Sequence, residues 1–590
     1  MSKVQLSGLA RGRPAHGSIA SVAVAVGASI MLLATACSDS TAPVAALHPI
    51  AAATTGLITV APTGLATAAG TMRAPMTLEQ AVAMAPAGST IQLQSGTYFT
   101  GGLVITRPLT IRSAPGANAK LTGSVAIPAG QWQAMGNTWR TPWSAHGIPS
   151  ASAGTPQTAA AAAAAAVSAR PTTTPAVAQE VQNEQAILVQ SLGGPAQLAA
   201  HQHMAFVDGH SLQRVASLGE VKSGSFFVDT VAKWLYIGQN PGGHDVEASA
   251  AAVGMLLYTS NVRVSGITLS HFSQIGLRIQ GSHVQVDHDT FSYNGQIGLD
   301  VNAAADALVE NNVMTFNGED GMLANNASGV IVQNNNFSSN NTGNYSIIAS
   351  AAGIKVTGMT NFVFRGNWVA DNKAIGMWID VASVNSTVVD NQVLRNISYG
   401  IYIELGNGII IAGNTVHNNA RGIGVHFTSN ANVYNNTMVD NGLNLDASAS
   451  YNRAPYDLTN AVIVNNIMSN ATTAIMENLY RYNGCSIAIY KQVDYNAYYR
   501  SAGSVAKTEV NYCNDFYTTM TAFHAGRGYE AHGLEIDGGA DPFFVNAGLE
   551  NYHLHAGSAA IGRGEPLPAN IAAALGWRAG VKVSLGSLQN

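Results

Sequence analysis

The chain has 590 residues, 47% of them hydrophobic and 10% charged, with 60 glycines and 20 prolines. That composition supports a long apolar core, and the low charge suits a fold whose faces cover one another. A formal net charge of −5 leaves no basic footprint for nucleic acid, and after the amino-terminal segment no stretch has the apolar length of a membrane span.

The first 37 residues read as an export signal. Lys3, Arg11 and Arg13 make a positive start, Ile19 to Ala36 an apolar run, and LLATAC ends on Cys37. The segment resembles a bacterial lipoprotein signal, with Ala36 and Cys37 in the matching places and Ala34 where leucine is commonest. The resemblance implies lipidation at Cys37 and an exported protein, lipid-anchored to a membrane of the bacterial cell envelope (outer membrane, surface or periplasm). An ordinary cleaved secretory signal is the alternative, and export follows from both. Cys485 and Cys513 then remain, and an oxidising compartment allows them to pair. A loop of that length contributes about 3 to 4 kcal/mol in the chain-entropy account; two free thiols are the alternative.

Residues 38–70, beginning SDSTAPVAALHP, are small, polar and proline-bearing, and read as a flexible tether. Residues 71–149 read as an amino-terminal cap and first coils. Thr77 and Gln80 make a capping box for a short helix over TLEQAVAMA, and STIQLQSGTYFTGGLVITRPLTIRS alternates apolar and polar. A helix laid over the first coil protects an open sheet edge. Residues 150–185 hold an alanine run, Ala159 to Ala166, with no amphipathic face, and read as a low-complexity surface insertion. Residues 186–250 read as hairpins with turns at Asp208-Gly209 and around Thr230 to Lys233.

From 251 to 475 one phrase recurs: a glycine, then apolar, variable, apolar, variable. It reads GLRIQ at Gly276, GLDVN at Gly298, GMLAN at Gly321, GIKVT at Gly353, GMWID at Gly376, GIYIE at Gly400 and GIGVH at Gly422, in steps of 22, 23, 32, 23, 24 and 22 residues. An asparagine keeps the same beat about 14 residues later, at Asn312, Asn335, Asn367, Asn391, Asn414 and Asn436, with Asp289 at the head. A fixed period of this size marks a solenoid, in which each unit buries its apolar side against its neighbours. Short alternating strands between Asn- and Gly-rich turns argue for stacked β-coils, and aligned amides can hydrogen-bond along such a stack. Residues 476–590 read as irregular closing coils and a cap.

These phrases resemble the right-handed parallel β-helix superfamily, the pectate-lyase-like and glycosidase-like solenoids. The VDG turn followed by FFVD and LYIG is similar to the small β-module of β-helix glycoside hydrolases such as family 141. Asp541-Pro542-Phe543-Phe544 and Gly557-Ser558-Ala559-Ala560-Ile561 resemble the closing segment of exported carbohydrate-active β-helix proteins. The resemblance implies an all-β, right-handed parallel β-helix with an N-terminal capping helix and a small inserted β-module, acting on polysaccharide. It leaves the reaction open, because one fold hosts many functions.

Along each phrase the third and fifth residues point away from the core. The fifth positions of three successive coils are Asp380, Glu404 and His426; the third positions of those coils are Trp378, Tyr402 and Gly424, and Lys355 holds the third position one coil earlier. A next partial coil from Gly442 adds Asp446, and a loop from Ala447 to Leu458 brings Arg453. Neighbouring carboxylates resist ionising together and so divide into an acid and a base or nucleophile. Sugar rings stack on aromatics, and an imidazole relays protons. Asp380, Glu404 and His426 are therefore the candidate catalytic residues; Lys355, Trp378, Tyr402, Asp446 and Arg453 are the candidate substrate-binding residues. The expected reaction is glycoside hydrolysis with no cofactor and no metal. The alternatives are a polysaccharide lyase, in which Asp380 and Glu404 hold Ca²⁺, and a non-catalytic glycan binder. The cluster Asp287, His288 and Asp289 falls on the turn ladder and reads as structural.

Overall fold

The computed structural model describes residues 56–143, 203–478, 489–504, 508–513 and 515–589. Cys37, the alanine-rich insertion and Cys485 lie outside them; Cys513 is disulfide-bonded.

Each coil of the repeat gives one strand to each of three thirteen-stranded sheets. In one coil these strands are Gln285–Asp287 on the second sheet, Thr290–Ser292 on the third and Ile297–Asn302 on the first. Each pairs in parallel with its counterpart one repeat later, through Val286 with Val309, Phe291 with Met314 and Leu299 with Met322. Those six side chains are fully buried and form three inward files. At roughly 1.5–3 kcal/mol for each large apolar side chain, this stacking dominates the stability of the column.

Two corners of every coil are closed by buried asparagines. Between the first two strands, Asn312, Asn335, Asn367, Asn391, Asn414 and Asn436 form a file in which each Nδ2 donates to the next Oδ1 at 2.9–3.1 Å. The residue before each asparagine turns left-handed: Asn311, Asn334, Gly366, Asp390, Gly413 and Asn435 all have φ between 50° and 66°. Asparagine, aspartate and glycine tolerate that conformation best. A second amide file, Asn294, Asn317, Asn340, Asn372, Asn396 and Asn419, closes the next corner in the same way. The repeated glycine follows from that file. A Cβ at Gly376 would lie 2.5 Å from the Gly400 carbonyl oxygen and 2.8 Å from Asn396 Nδ2.

Two boundaries differ from those read in the sequence, and the closing coils expected after 475 still add strands to the column. The first strand, Leu57–Val60, falls in the stretch read as tether; it pairs with Thr90–Leu93, and Val60 is fully buried. The inserted module begins earlier than 186, because Thr138–Pro142 pairs antiparallel with Trp234–Ile237 and shares an apolar core with Trp132, Phe226 and Leu235. After 475, Ala497–Arg500 and Leu534–Asp537 extend the third sheet. Beyond them Phe543, Phe544, Tyr552 and Leu554 cover the outside of the third sheet, and the helix Ala569–Leu575 covers the second. The helix Leu78–Met84 makes half of the expected capping box: Thr77 Oγ1 accepts from Gln80 N, while the Gln80 side chain turns to Met84.

Candidate active site

The remaining outer face, on the first sheet, carries the charged and aromatic residues. Its strands here are Ala352–Thr357, Ile375–Asp380, Tyr399–Glu404, Arg421–His426 and Leu445–Ser448. Lys355 pairs with Trp378, and Trp378 with Tyr402. Ile379 pairs with Ile403, and Glu404 with His426, so Asp380, Glu404 and His426 stand on successive rungs of one outward file. Rungs are about 4.8 Å apart.

Asp380 faces the expected side but is sealed, with 1% of its side chain exposed. Its Oδ2 lies 3.2 Å from Lys355 Nζ, and its Oδ1 accepts from Val381 N at 2.7 Å. Lys355 is buried as well; its ammonium donates to the Ala349 carbonyl at 3.0 Å and sits 3.5 Å above the Trp378 ring. Lys355, a candidate substrate contact, has its donors turned onto Asp380 and the loop before Gly353. That loop packs through Tyr345 and Ala351 against Ala374. Glu319 and Asp320, two rungs before Asp380, are pushed above the ordinary carboxylate range by burial.

Asp446 stands in the other file. It pairs with Gly424, whereas His426 pairs with Ser448, a two-residue displacement from the extrapolated repeat. Gly424 explains what gathers around it. A Cβ there would lie 2.6 Å from the Tyr399 ring and 2.8 Å from that of Tyr402, so its absence lets both rings lean over the strand, stacked at 4.4 Å. Tyr399 Oη then reaches across to donate to Asp446 Oδ2 at 2.6 Å. Arg421 Nη1 donates to the same oxygen at 2.5 Å, and His426 Nε2 lies 3.1 Å from it. On the other side of the imidazole, Tyr402 Oη is 3.1 Å from Nδ1. Tyr402, His426 and Asp446 thus form one line of polar contacts.

The electrostatics follow from these contacts. Burial raises the Asp446 pKa, but His426, Tyr399 and Arg421 together outweigh it and hold the carboxyl down at about 2. Burial, with Glu404 next, raises the Tyr402 phenol far above its ordinary value, so it keeps its proton. Burial and Asp446 do the same to Tyr399. Glu404, on the Tyr402 rung and next to the His426 rung, is half-buried and engaged in contacts of its own, as is Arg453 on the loop after Leu445–Ser448. In that loop Arg453 bridges to Tyr456, and Tyr451 packs on Phe427 with ring centroids 4.8 Å apart.

Tyr399 and Arg421 escape a reading that begins each unit at its glycine. Both immediately precede one, and they pair with each other across the rungs. The same position is isoleucine at Ile275, Ile297 and Ile375; the change to Tyr and Arg in two successive coils was the available signal.

Residues 252–416 match the family described as right handed beta helix region, and residues 342–493 match periplasmic copper-binding protein (NosD). The column is a right-handed parallel β-helix. No curated protein matches the chain in sequence. Among solved structures, the complex of XylC with xylose is 13% identical, covers 82% of this chain and 87% of that one, and has a TM-score of 0.53. Pectate lyase Pel9A is 14% identical over 90% of this chain and 96% of its own, with a TM-score of 0.43. The A-module of the Azotobacter vinelandii mannuronan C-5 epimerase AlgE6 is 12% identical over 78% and 93%, with a TM-score of 0.45. What the XylC likeness carries is the β-helix itself.

Among the described residues the one group that could share an ion does not suit copper. It is all carboxylate: Glu509, Glu535 and Asp537. Copper favours imidazole and sulfur ligands. Arg500 already occupies that group, 2.6 Å from Asp537 and 3.1 Å from Glu509. At the β-helix site the Lys355 ammonium beside Asp380 likewise opposes the Ca²⁺ considered for a lyase.

Proposed function

We propose that this protein is an exported glycoside hydrolase acting on a polysaccharide, with Asp380 and Glu404 as its carboxylate pair. The observation that carries the reading is their register: two carboxylates on adjacent rungs of one outward file, flanked by Trp378, Tyr402 and His426. Adjacent rungs favour the gap of about 5–5.5 Å at which a retaining mechanism operates. Asp380, charge-paired with Lys355, suits the nucleophile. Glu404, less deeply buried and next to Tyr402 and His426, suits the proton donor, with the Tyr402–His426–Asp446 line orienting it. Substrate reaches Asp380 past the loop whose Ala349 holds Lys355. XylC was solved with xylose, which agrees with a saccharide at a β-helix face. The match to a periplasmic family agrees with the export signal ending at Cys37, and a lipid anchor there is part of the proposal.

The test is a panel of plant, algal and host polysaccharides, with products identified, run on the intact protein and on Glu404→Gln. Hydrolysis by the intact protein, and a loss of about 10²–10⁴-fold in kcat for Glu404→Gln, is expected. Unsaturated, ultraviolet-absorbing products would replace the hydrolase with a lyase. Glycan binding that survives both Glu404→Gln and Asp380→Asn, with nothing cleaved, would leave a binder.

A further inference from the structure

The charges around the carboxylate pair bear on which sugars the face accepts. Four acids belong to this patch: Asp380, Glu404, Asp446 and, one rung beyond Asp446, Glu477. Two permanent cations, Lys355 and Arg421, face them, and each is already engaged. Lys355, with 4% of its side chain exposed, divides its ammonium between Asp380, the Ala349 carbonyl and the Trp378 ring. Arg421 holds Asp446 and lies 4.0 Å from Glu477. Arg453 has contacts of its own.

A sugar carboxylate entering here has to take Lys355 from Asp380 or Arg421 from Asp446. The first exchange strands Asp380, 1% exposed, and the second takes the guanidinium from equally buried Asp446 and leaves it Tyr399 and His426; removing one partner of a buried pair is strongly unfavourable. The four acids outnumber Lys355 and Arg421, which adds repulsion. A neutral sugar requires no such exchange. The Tyr399 and Tyr402 rings offer apolar contact, and Trp378 Nε1 and Asp446 Oδ1, both buried, have no hydrogen-bond partner within the protein. They are a donor and an acceptor of the kind that hydroxyl groups satisfy.

We infer that this site binds neutral glycans, chains of pentose or hexose without carboxylates, and discriminates against uronates. For cleavage the inference rests on the hydrolase reading; for binding it does not. The test is calorimetric titration of full-length Glu404→Gln with neutral hexasaccharides (xylo-, cello-, manno- and galacto-oligosaccharides) and with oligogalacturonate and oligomannuronate of the same length. At least one neutral chain is expected to bind tenfold or more tightly than every uronate. Residual uronate binding is expected to strengthen as salt rises from about 0.05 to 0.5 M, because screening weakens repulsion. A uronate that binds as well as the best neutral chain overturns the inference, as does binding by neither class. Asp446→Asn, which releases Arg421, is expected to raise uronate affinity several-fold; the salt titration needs no variant beyond Glu404→Gln and stands if Asp446→Asn fails to fold. If neutral chains bind and the intact protein leaves them uncut, the hydrolase reading fails and this one stands. If the intact protein hydrolyses a uronate glycan, the reverse holds.

Discussion

Two files of polar residues run up the same β-helix on the same beat, and they behave oppositely. The corner file repeats a single residue type, and each asparagine uses its neighbour identically: Asn391 Nδ2 donates to Asn414 Oδ1 as Asn367 Nδ2 donates to Asn391 Oδ1. Nothing is left over, so the file is closed to ligands. The face of the first sheet changes residue type at every rung, from Lys355 to Trp378 to Tyr402 to the gap at Gly424 to Asp446. Its charges pair across rungs, and polar atoms such as Trp378 Nε1 stay unmatched. In a solenoid, then, regular polar repetition marks structure, and its interruption marks a site.

The sharpest way to break that contrast is to remove a charge from the irregular file. Lys355→Met leaves Asp380 as a buried carboxylate without its cation, and breaking a buried pair in this way costs about 3–5 kcal/mol. Thermal or denaturant unfolding should show the loss, and Lys355→Met with Asp380→Asn should recover most of it. A double variant no more stable than the single one would mean that the pair is not coupled. The regular file should yield a smaller, purely structural effect. Asn391→Ala strips the acceptor shared by the backbone and side-chain amides of Asn367, at about 1–3 kcal/mol for each donor left bare. Glycan binding by the folded fraction should be unchanged, and a change in it would erase the distinction between the two files.

Much of this architecture was legible because coil length hardly varies. Steps of 23, 24 and 22 residues carry Trp378 onto Tyr402 and Glu404 onto His426 without any knowledge of side chains. The extrapolation fails at Asp446 because Gly442 is not the phrase glycine: the step stays at 22 residues, Asn444 stands in the glycine position, and Asp446 falls in the third place of the phrase instead of the fifth. Burial of Asp380 was not legible, since it depends on Lys355 and on a loop whose path the repeat does not specify. Leu57–Val60 was hidden by the small and proline-bearing residues around it, although LITV pairs as an ordinary strand. The second amide file lay in plain sight at Asn294, Asn317, Asn340, Asn372, Asn396 and Asn419, but each falls close before a glycine phrase and merges with the Asn- and Gly-rich turns around it.

The head of the corner file sharpens the comparison most finely, because there the regular file contains an acid. Asp289 stands where the later coils have asparagine: its amide donates to Asn312 Oδ1 at 2.8 Å, and its Oδ1 accepts from Ile267 N at 2.7 Å. Its Oδ2 takes the place of the amide nitrogen and has no hydrogen-bond partner. Burial, and after it the nearby Asp287 carboxylate, raises the Asp289 pKa well above the ordinary value, with Arg263 opposing. A group whose folded pKa is raised stabilises the fold fully below its unfolded pKa, and that contribution is lost as pH climbs through the folded value. Asp289→Asn supplies the missing donor and no charge. The variant should therefore match the parent in acid and exceed it at neutral and alkaline pH, by on the order of 1 kcal/mol for the added hydrogen bond. Unfolding curves of both proteins across that range measure the difference. A parent whose stability does not fall with rising pH relative to the variant would mean that this carboxylate is not confined as its neighbours require.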